Sequence, residues 1–223
     1  MGIIYCEKDR TFTLQTKNTT YQMQVDRYGF LLHLYYGKKT DGCMDYLLTY
    51  YDRGFSGNPY DAGEDRTYSM DTLPQEYTAY GNGDYRINGL ETEQADGSDT
   101  ANLKYDSYEI SKGKYSLKGL PAMFAREDEA ETLEIVLKDH ASGLRAHLFY
   151  GVFPQFDVIT RAVRLENTGT APVTVKKAMS MEMDYEYREL DAVHFYGKHN
   201  MERQMERTHL GHGNWSVGSI RGT

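Results

Sequence analysis

The chain has 223 residues, 39% of them hydrophobic and 26% charged, with 25 basic side chains against 33 acidic ones and a formal net charge of -8. That surplus of negative charge argues against a nucleic-acid backbone or an anionic membrane as the main partner, since both select basic surfaces. Two cysteines, Cys6 and Cys43, cannot make a disulfide framework and suit a reducing compartment, and no apolar run approaches the ~18 residues of a membrane helix.

The opening "MGIIYCEKDR" has no basic segment followed by an apolar run, so a cytoplasmic protein without a secretory signal is expected. On that reading the glycosylation patterns at Asn18 and Asn214 are chance occurrences. The chain then reads as strands. Phe12 and Leu14 alternate with polar residues, "KNTT" turns, and Tyr21, Met23 and Val25 resume the alternation. "DRYG" turns again into Phe30, Leu32, Leu34 and Tyr36, and "GKKTDG" marks another turn. Patterning of period two describes a meander of half-buried strands.

From Asp52 to Ser69, "DRGFSGNPYDAGEDRTYS" carries no period, and the irregularity continues through "MDTLPQEYTAYGNGDYR". Loops longer than ~12–15 residues inside a compact domain are usually functional or disordered. Disorder goes with few aromatics, and Phe55, Tyr60 and Tyr68 are all here, which favours a functional loop. "GNGDYR" resembles a phosphate loop only in its glycines; without a preceding strand and a following helix it reads as a tight turn. "NGLETEQADGSDTAN" is polar and acidic with no aromatic, and is expected to be a surface connection.

Strand patterning then returns. Leu133, Ile135 and Leu137 alternate into a turn at Ser142-Gly143, and Leu144, Ala146, Leu148 and Tyr150 alternate out of it. His147 falls on the opposite, outer face and is expected to be exposed. Ile159, Val163 and Leu165 share a strand face, "ENTGTAP" breaks it, and Val173 and Val175 follow. Met179, Met181 and Met183, spaced by two, read as core filling. "HNMERQMERTHL" lacks a clear apolar face and reads as extended. Trp215 suits core or interdomain packing, and "GNWSVGSIRGT" reads as a strand and the start of a connection, as at a domain boundary within a longer protein. The fold class is all-β: a mostly antiparallel, two-sheet sandwich.

Acid–base chemistry needs two carboxylates in different environments. The run "REDEAE" from Arg126 to Glu131 reads as a solvated turn. Glu76, Asp84, Asp184, Glu186, Glu189 and Asp191 remain, with nothing marking one as buried and another as ionised. In "HLGHG", His209 and His212 have no third ligand at a metal spacing, so neither a metal nor a cofactor is expected.

Several blocks in consistent order, from about residue 3 to 223, resemble the N-terminal domain of bacterial α-galactosidases of glycoside hydrolase family 36. They are "FTLQTKNTTYQMQVDRYGFLLHLYYGKK", "DTLPQEYTAYGNGDYR", the long run from "GLPAMFAREDEAE" through "VKKAMSMEMDY", and "GSIRGT". The resemblance implies that residues 1–223 form a β supersandwich, galactose mutarotase-like in shape, with a catalytic (β/α)8 barrel and a small β domain after residue 223. Two barrel aspartates would hydrolyse terminal α-linked galactose, as in melibiose and raffinose-type sugars, with retention. The 223 residues alone would then be inactive.

It also implies a homo-oligomer, a tetramer, in which a loop of this domain reaches a neighbouring subunit's sugar pocket. The matching segment is "YYDRGF", which makes Asp52 the substrate-binding carboxylate and Phe55 a wall of the pocket. A carboxylate accepts charge-assisted bonds from sugar hydroxyls, an aromatic ring covers the apolar face of galactose, and Gly54 and Gly57 allow close approach. Tyr185 and Tyr187 are further candidates to face the pocket. Three alternatives stand beside this reading. Asp52 would merely pair with Arg53 across the turn; the chain would be a freestanding carbohydrate-binding module; or it would be an aldose 1-epimerase, using His147 or His194 with a carboxylate.

Overall fold

The computed structural model describes residues 2–52, 54, 58–185 and 189–220. They fall into two compact units, Met1–Asp184 and Tyr185–Thr223. In the first unit β1 (Ile3–Cys6), β2 (Thr11–Gln15), β3 (Thr19–Val25) and β4 (Leu31–Lys38) form an antiparallel meander in sequential order. β5 (Leu90–Gln94) follows after a long irregular stretch. β6 (Leu103–Lys112), β7 (Glu131–Asp139), β8 (Leu144–Phe153) and β9 (Val158–Asn167) make a second four-stranded antiparallel sheet. β10 (Val173–Ala178) returns to pair with β5.

The alternation explains why these strands form a sandwich. Phe12, Leu14, Tyr21 and Met23 from the first sheet meet Leu133, Ile135, Ala146, Leu148 and Tyr150 from the second in one buried cluster. Each residue pointing inward is flanked by residues pointing out, so burial of one face fixes the register of the whole strand. The Ser142-Gly143 turn is where expected: Gly143 has φ +78 and Leu144 opens β8. "GNGDYR" is a tight turn, with the Asp84 amide donating to the Gly81 carbonyl at 3.3 Å.

Several expectations are corrected. The stretch 88–102 is not merely a surface connection, because it contains β5, and Leu90 and Thr92 lie fully buried while Glu91 and Glu93 pair with Lys177 and Lys176 of β10. Two inward side chains are too few to announce a strand by period. The methionines do not form a core stripe: Met179 and Met181 are exposed, and only Met183 packs against the core. No strand carries residues 179–185, so nothing alternates there. His147 does point to the outer face, yet it is buried, because Glu134 and Glu166 close over its two nitrogens at 2.6 and 3.0 Å.

The second unit is a hairpin of β11 (Leu190–Lys198) and β12 (Met201–Leu210). "HNMERQMERTHL" is therefore extended, as expected. The following residues 211–220 form no strand, against expectation, and Trp215 packs edge-on to His194 with ring centroids 5.6 Å apart.

Candidate functional site

The described residues between β4 and β5, within 39–89, contain no strand but hold a core of their own. Tyr68, Met70 and Leu73 pack with Ala62 against Phe30 and Leu32. Tyr68 is fully buried, and its hydroxyl donates to Asp26 in a short hydrogen bond. Burial first, and the Asp26 carboxylate second, push the Tyr68 phenol far above its usual range. The other oxygen of Asp26 accepts from the amides of Tyr28 and Phe30 at 2.9 and 2.8 Å, so one buried acid ties the β3–β4 turn to the loop. Arg27 adds a second tie. Its guanidinium stands 4.9 Å from the Tyr28 ring centre and bonds Asp65 at 2.5 Å. Tyr50 stacks on Tyr68 with centroids 6.1 Å apart.

This base carries the tip. Asp52 is half exposed, with 51% of its side chain accessible, and so is open to a ligand. Its Oδ1 accepts the Gly54 amide at 2.7 Å, an Asx turn for which Gly54 supplies φ +78. Arg66 Nη2 stands 3.3 Å from the same Oδ1 and donates to the Gly54 carbonyl at 2.7 Å. Asp52 thus has a local cationic partner in Arg66, a residue the sequence reading passed over. Its one sequence cue was its place in the same charged stretch. Such exposed pairs contribute at most about 1 kcal/mol to stability. Phe55, the second site residue expected, lies outside the described residues, as do Arg53, Gly57 and Tyr187. Tyr185 is half exposed. Tyr46, Tyr51 and Tyr60 are exposed on the same loop.

The carboxylates sort by environment, which their spacing did not foretell. Glu76 is fully buried in the sandwich interior. Its oxygens accept from the Tyr21 hydroxyl at 2.6 and 2.9 Å and from Tyr150 at 2.7 Å, and Arg161 Nη2 approaches to 2.8 Å. Burial would raise its pKa, but Arg161, His33 and Tyr21 outweigh burial and hold it below the usual value. His33 Nδ1 is 3.4 Å from this carboxylate. This is the one interior histidine–acid pair among the described residues, and with exposures of 5% and 0% it is sealed from any substrate. His147, by contrast, faces outward, so it does not supply the concave histidine an epimerase needs.

Glu182 and Asp184 are partly buried, and that burial raises both above ordinary carboxylate values. Glu182 accepts the amide and hydroxyl of Thr78, and Asp184 accepts Arg86 at 2.7 Å. Both side chains clip residues 179–184 to the body of the first unit.

A two-sheet antiparallel sandwich with a buried polar cluster around Glu76 and an anchored, aromatic, acid-bearing loop defines the class of fold: an all-β sandwich domain. The model of the glycosyl hydrolase family 36 N-terminal domain matches residues 29–223, and the chain belongs to that family. It is 57% identical over its whole length to the bifunctional alpha-galactosidase/sucrose kinase AgaSK of Mediterraneibacter gnavus, covering 24% of that protein. It is 40% identical to alpha-galactosidase AgaA of Geobacillus stearothermophilus, covering 30%. The galactosidase domain of AgaSK superposes with a TM-score of 0.94 over 99% of this chain and 31% of that one. An AgaA variant solved with raffinose superposes with a TM-score of 0.89 at 40% identity over 95% of this chain and 30% of that one. The chain spans from 24% to 31% of the length of these relatives.

Proposed function

We propose that residues 1–223 are the N-terminal domain of an α-galactosidase, a structural and oligomerising unit whose loop 52–69 helps to close a sugar pocket. A (β/α)8 barrel following residue 223 carries the two catalytic aspartates. The substrate class is a terminal α-linked galactose on melibiose or a raffinose-type oligosaccharide, hydrolysed with retention in the cytoplasm by a homotetramer. The observation that carries this reading is end-to-end identity of 57% with a relative named as an α-galactosidase, of which the chain accounts for 24%. The raffinose complex of a 40%-identical relative supports the substrate class.

Asp52 fits the role physically. Its carboxylate is half in water in the free domain, so the fold bears little desolvation cost, and a sugar that covers it gains a charge-assisted bond of about 1.5–3 kcal/mol. In the full-length protein, Asp52→Ala should lower kcat/KM for p-nitrophenyl α-galactoside by about ten- to a hundredfold. An unchanged kcat/KM in a normally assembled variant removes Asp52 from the site. Hydrolysis by residues 1–223 alone would refute the division of labour. Calorimetry with galactose and raffinose separates a freestanding binding module, which takes sugar without a barrel.

A further inference from the structure

We propose that Arg66 is the positioning residue for Asp52: one guanidinium nitrogen holds the loop tip so that Asp52 presents Oδ2 to a sugar hydroxyl. The inference rests on the reading that Asp52 meets the galactoside, and adds how its aim is set.

Three contacts carry it. Arg66 Nη2 donates to the Gly54 carbonyl at 2.7 Å and lies 3.3 Å from Asp52 Oδ1, while the Gly54 amide donates to that same Oδ1 at 2.7 Å. Among the described residues, both of these contacts of Asp52 therefore fall on Oδ1, so the clip engages one carboxylate oxygen and the proposal assigns the other to the sugar. A planar guanidinium satisfies a carbonyl and a carboxylate from one fixed fork, which an ammonium on a flexible stem does less well.

Arg66 can act as a fixed point because its neighbours are fixed. Asp65 Oδ1 accepts the amide and hydroxyl of Thr67 at 3.0 and 2.6 Å, and Asp65 Oδ2 bonds Arg27 at 2.5 Å. Two residues on, Tyr68 is fully buried in the loop's own core. Arg66 and Asp52 are 61% and 51% accessible, so the clip contributes little to global stability. Its effect falls instead on the tip, which a ligand would otherwise have to order on binding.

The full-length protein and p-nitrophenyl α-galactoside supply the test. Arg66→Ala should lower kcat/KM by about tenfold, mainly through KM, with the thermal midpoint unchanged. Arg66→Lys should fall between, and it carries the test if the alanine variant fails to assemble. In an Asp52→Ala background, Arg66→Ala should add no further loss. Wild-type kinetics in Arg66→Ala, with Asp52→Ala impaired, would overturn the positioning role and leave Asp52 in the site. Losses that multiply in the double variant would also overturn it, because Arg66 would then act independently of Asp52. Wild-type kinetics in Asp52→Ala alone would defeat the underlying reading instead.

Discussion

Arg161→Met tests the interior of the sandwich. Arg161 stands on β9 directly opposite Tyr150 on β8, and its side chain is 7% accessible. One nitrogen lies 2.8 Å from Glu76, and the other donates to the Tyr21 hydroxyl at 3.1 Å and the Glu182 carbonyl at 3.0 Å. Methionine fills most of the volume but leaves Glu76 as a buried carboxylate with only neutral hydroxyl donors and His33. Removing one partner of a buried ion pair costs about 3–5 kcal/mol, a large part of the ~5–15 kcal/mol that holds a domain together. Adding Glu76→Gln removes the stranded charge, so the double variant should be more stable than Arg161→Met alone. It should not regain wild-type stability, because the Tyr21 and Tyr150 hydroxyls lose a charged acceptor. Urea unfolding of the 223-residue chain, followed by the near-ultraviolet dichroism of its tyrosines, measures both. A loss below about 1 kcal/mol for Arg161→Met, or strictly additive costs in the double variant, would refute the argument. The same series has a pH signature. Because the folded state holds the Glu76 carboxyl below its ordinary 4.5, its contribution is complete above that value and is lost as pH falls through the folded value. The stability gap between wild type and Glu76→Gln should therefore narrow on the acid side of pH 4.5.

Two further substitutions probe the scaffold. Tyr68→Phe keeps the ring in the loop core but removes the hydroxyl that Asp26 accepts, and should cost about 1–2 kcal/mol while speeding proteolysis within residues 39–89. Unaltered cleavage would show that the loop does not depend on this tie. Gly143→Ala forces a side chain onto φ +78 with its Cβ 2.7 Å from the Gly169 amide nitrogen, and should destabilise by more than about 1 kcal/mol in the same urea titration.

Strand positions were legible where one face of a strand is apolar throughout. Phe12 and Leu14, or Leu133, Ile135 and Leu137, show the period because every inward residue is hydrophobic. The pattern failed wherever inward residues are polar for a reason that only tertiary structure supplies. Arg161 stands in register with Ile159, Val163 and Leu165, and a charge there makes sense only once Glu76, from a distant loop, is known to face it. β5 hides for a related cause, since its inward pair is Leu90 and Thr92, half of it polar. His147 misleads in the other direction: its face is the outer one, but Glu134 and Glu166 on flanking strands wall it in. At the candidate site, the aromatic and charged content of residues 52–69 marked the loop, whereas the Asp52–Arg66 clip depends on a backbone path that no local rule specifies.

The two best-defined carboxylates differ in their solvation, and on the proposed function that difference separates folding from substrate handling. Glu76 is held in the interior by an arginine and two tyrosines, so its interactions are already complete and any change there acts on folding. Asp52 stands half in water at the end of a loop whose stability resides in Tyr68, Asp26 and Arg27, and its change leaves those ties untouched. A surface carboxylate keeps its hydration in the free domain and exchanges it only when a ligand arrives with hydroxyls to replace the lost water. Substitutions at the tip should therefore register in substrate handling while thermal stability stays constant, and substitutions around Glu76 should do the reverse. A loop whose tip and base responded together would mean that the second core does not insulate the site.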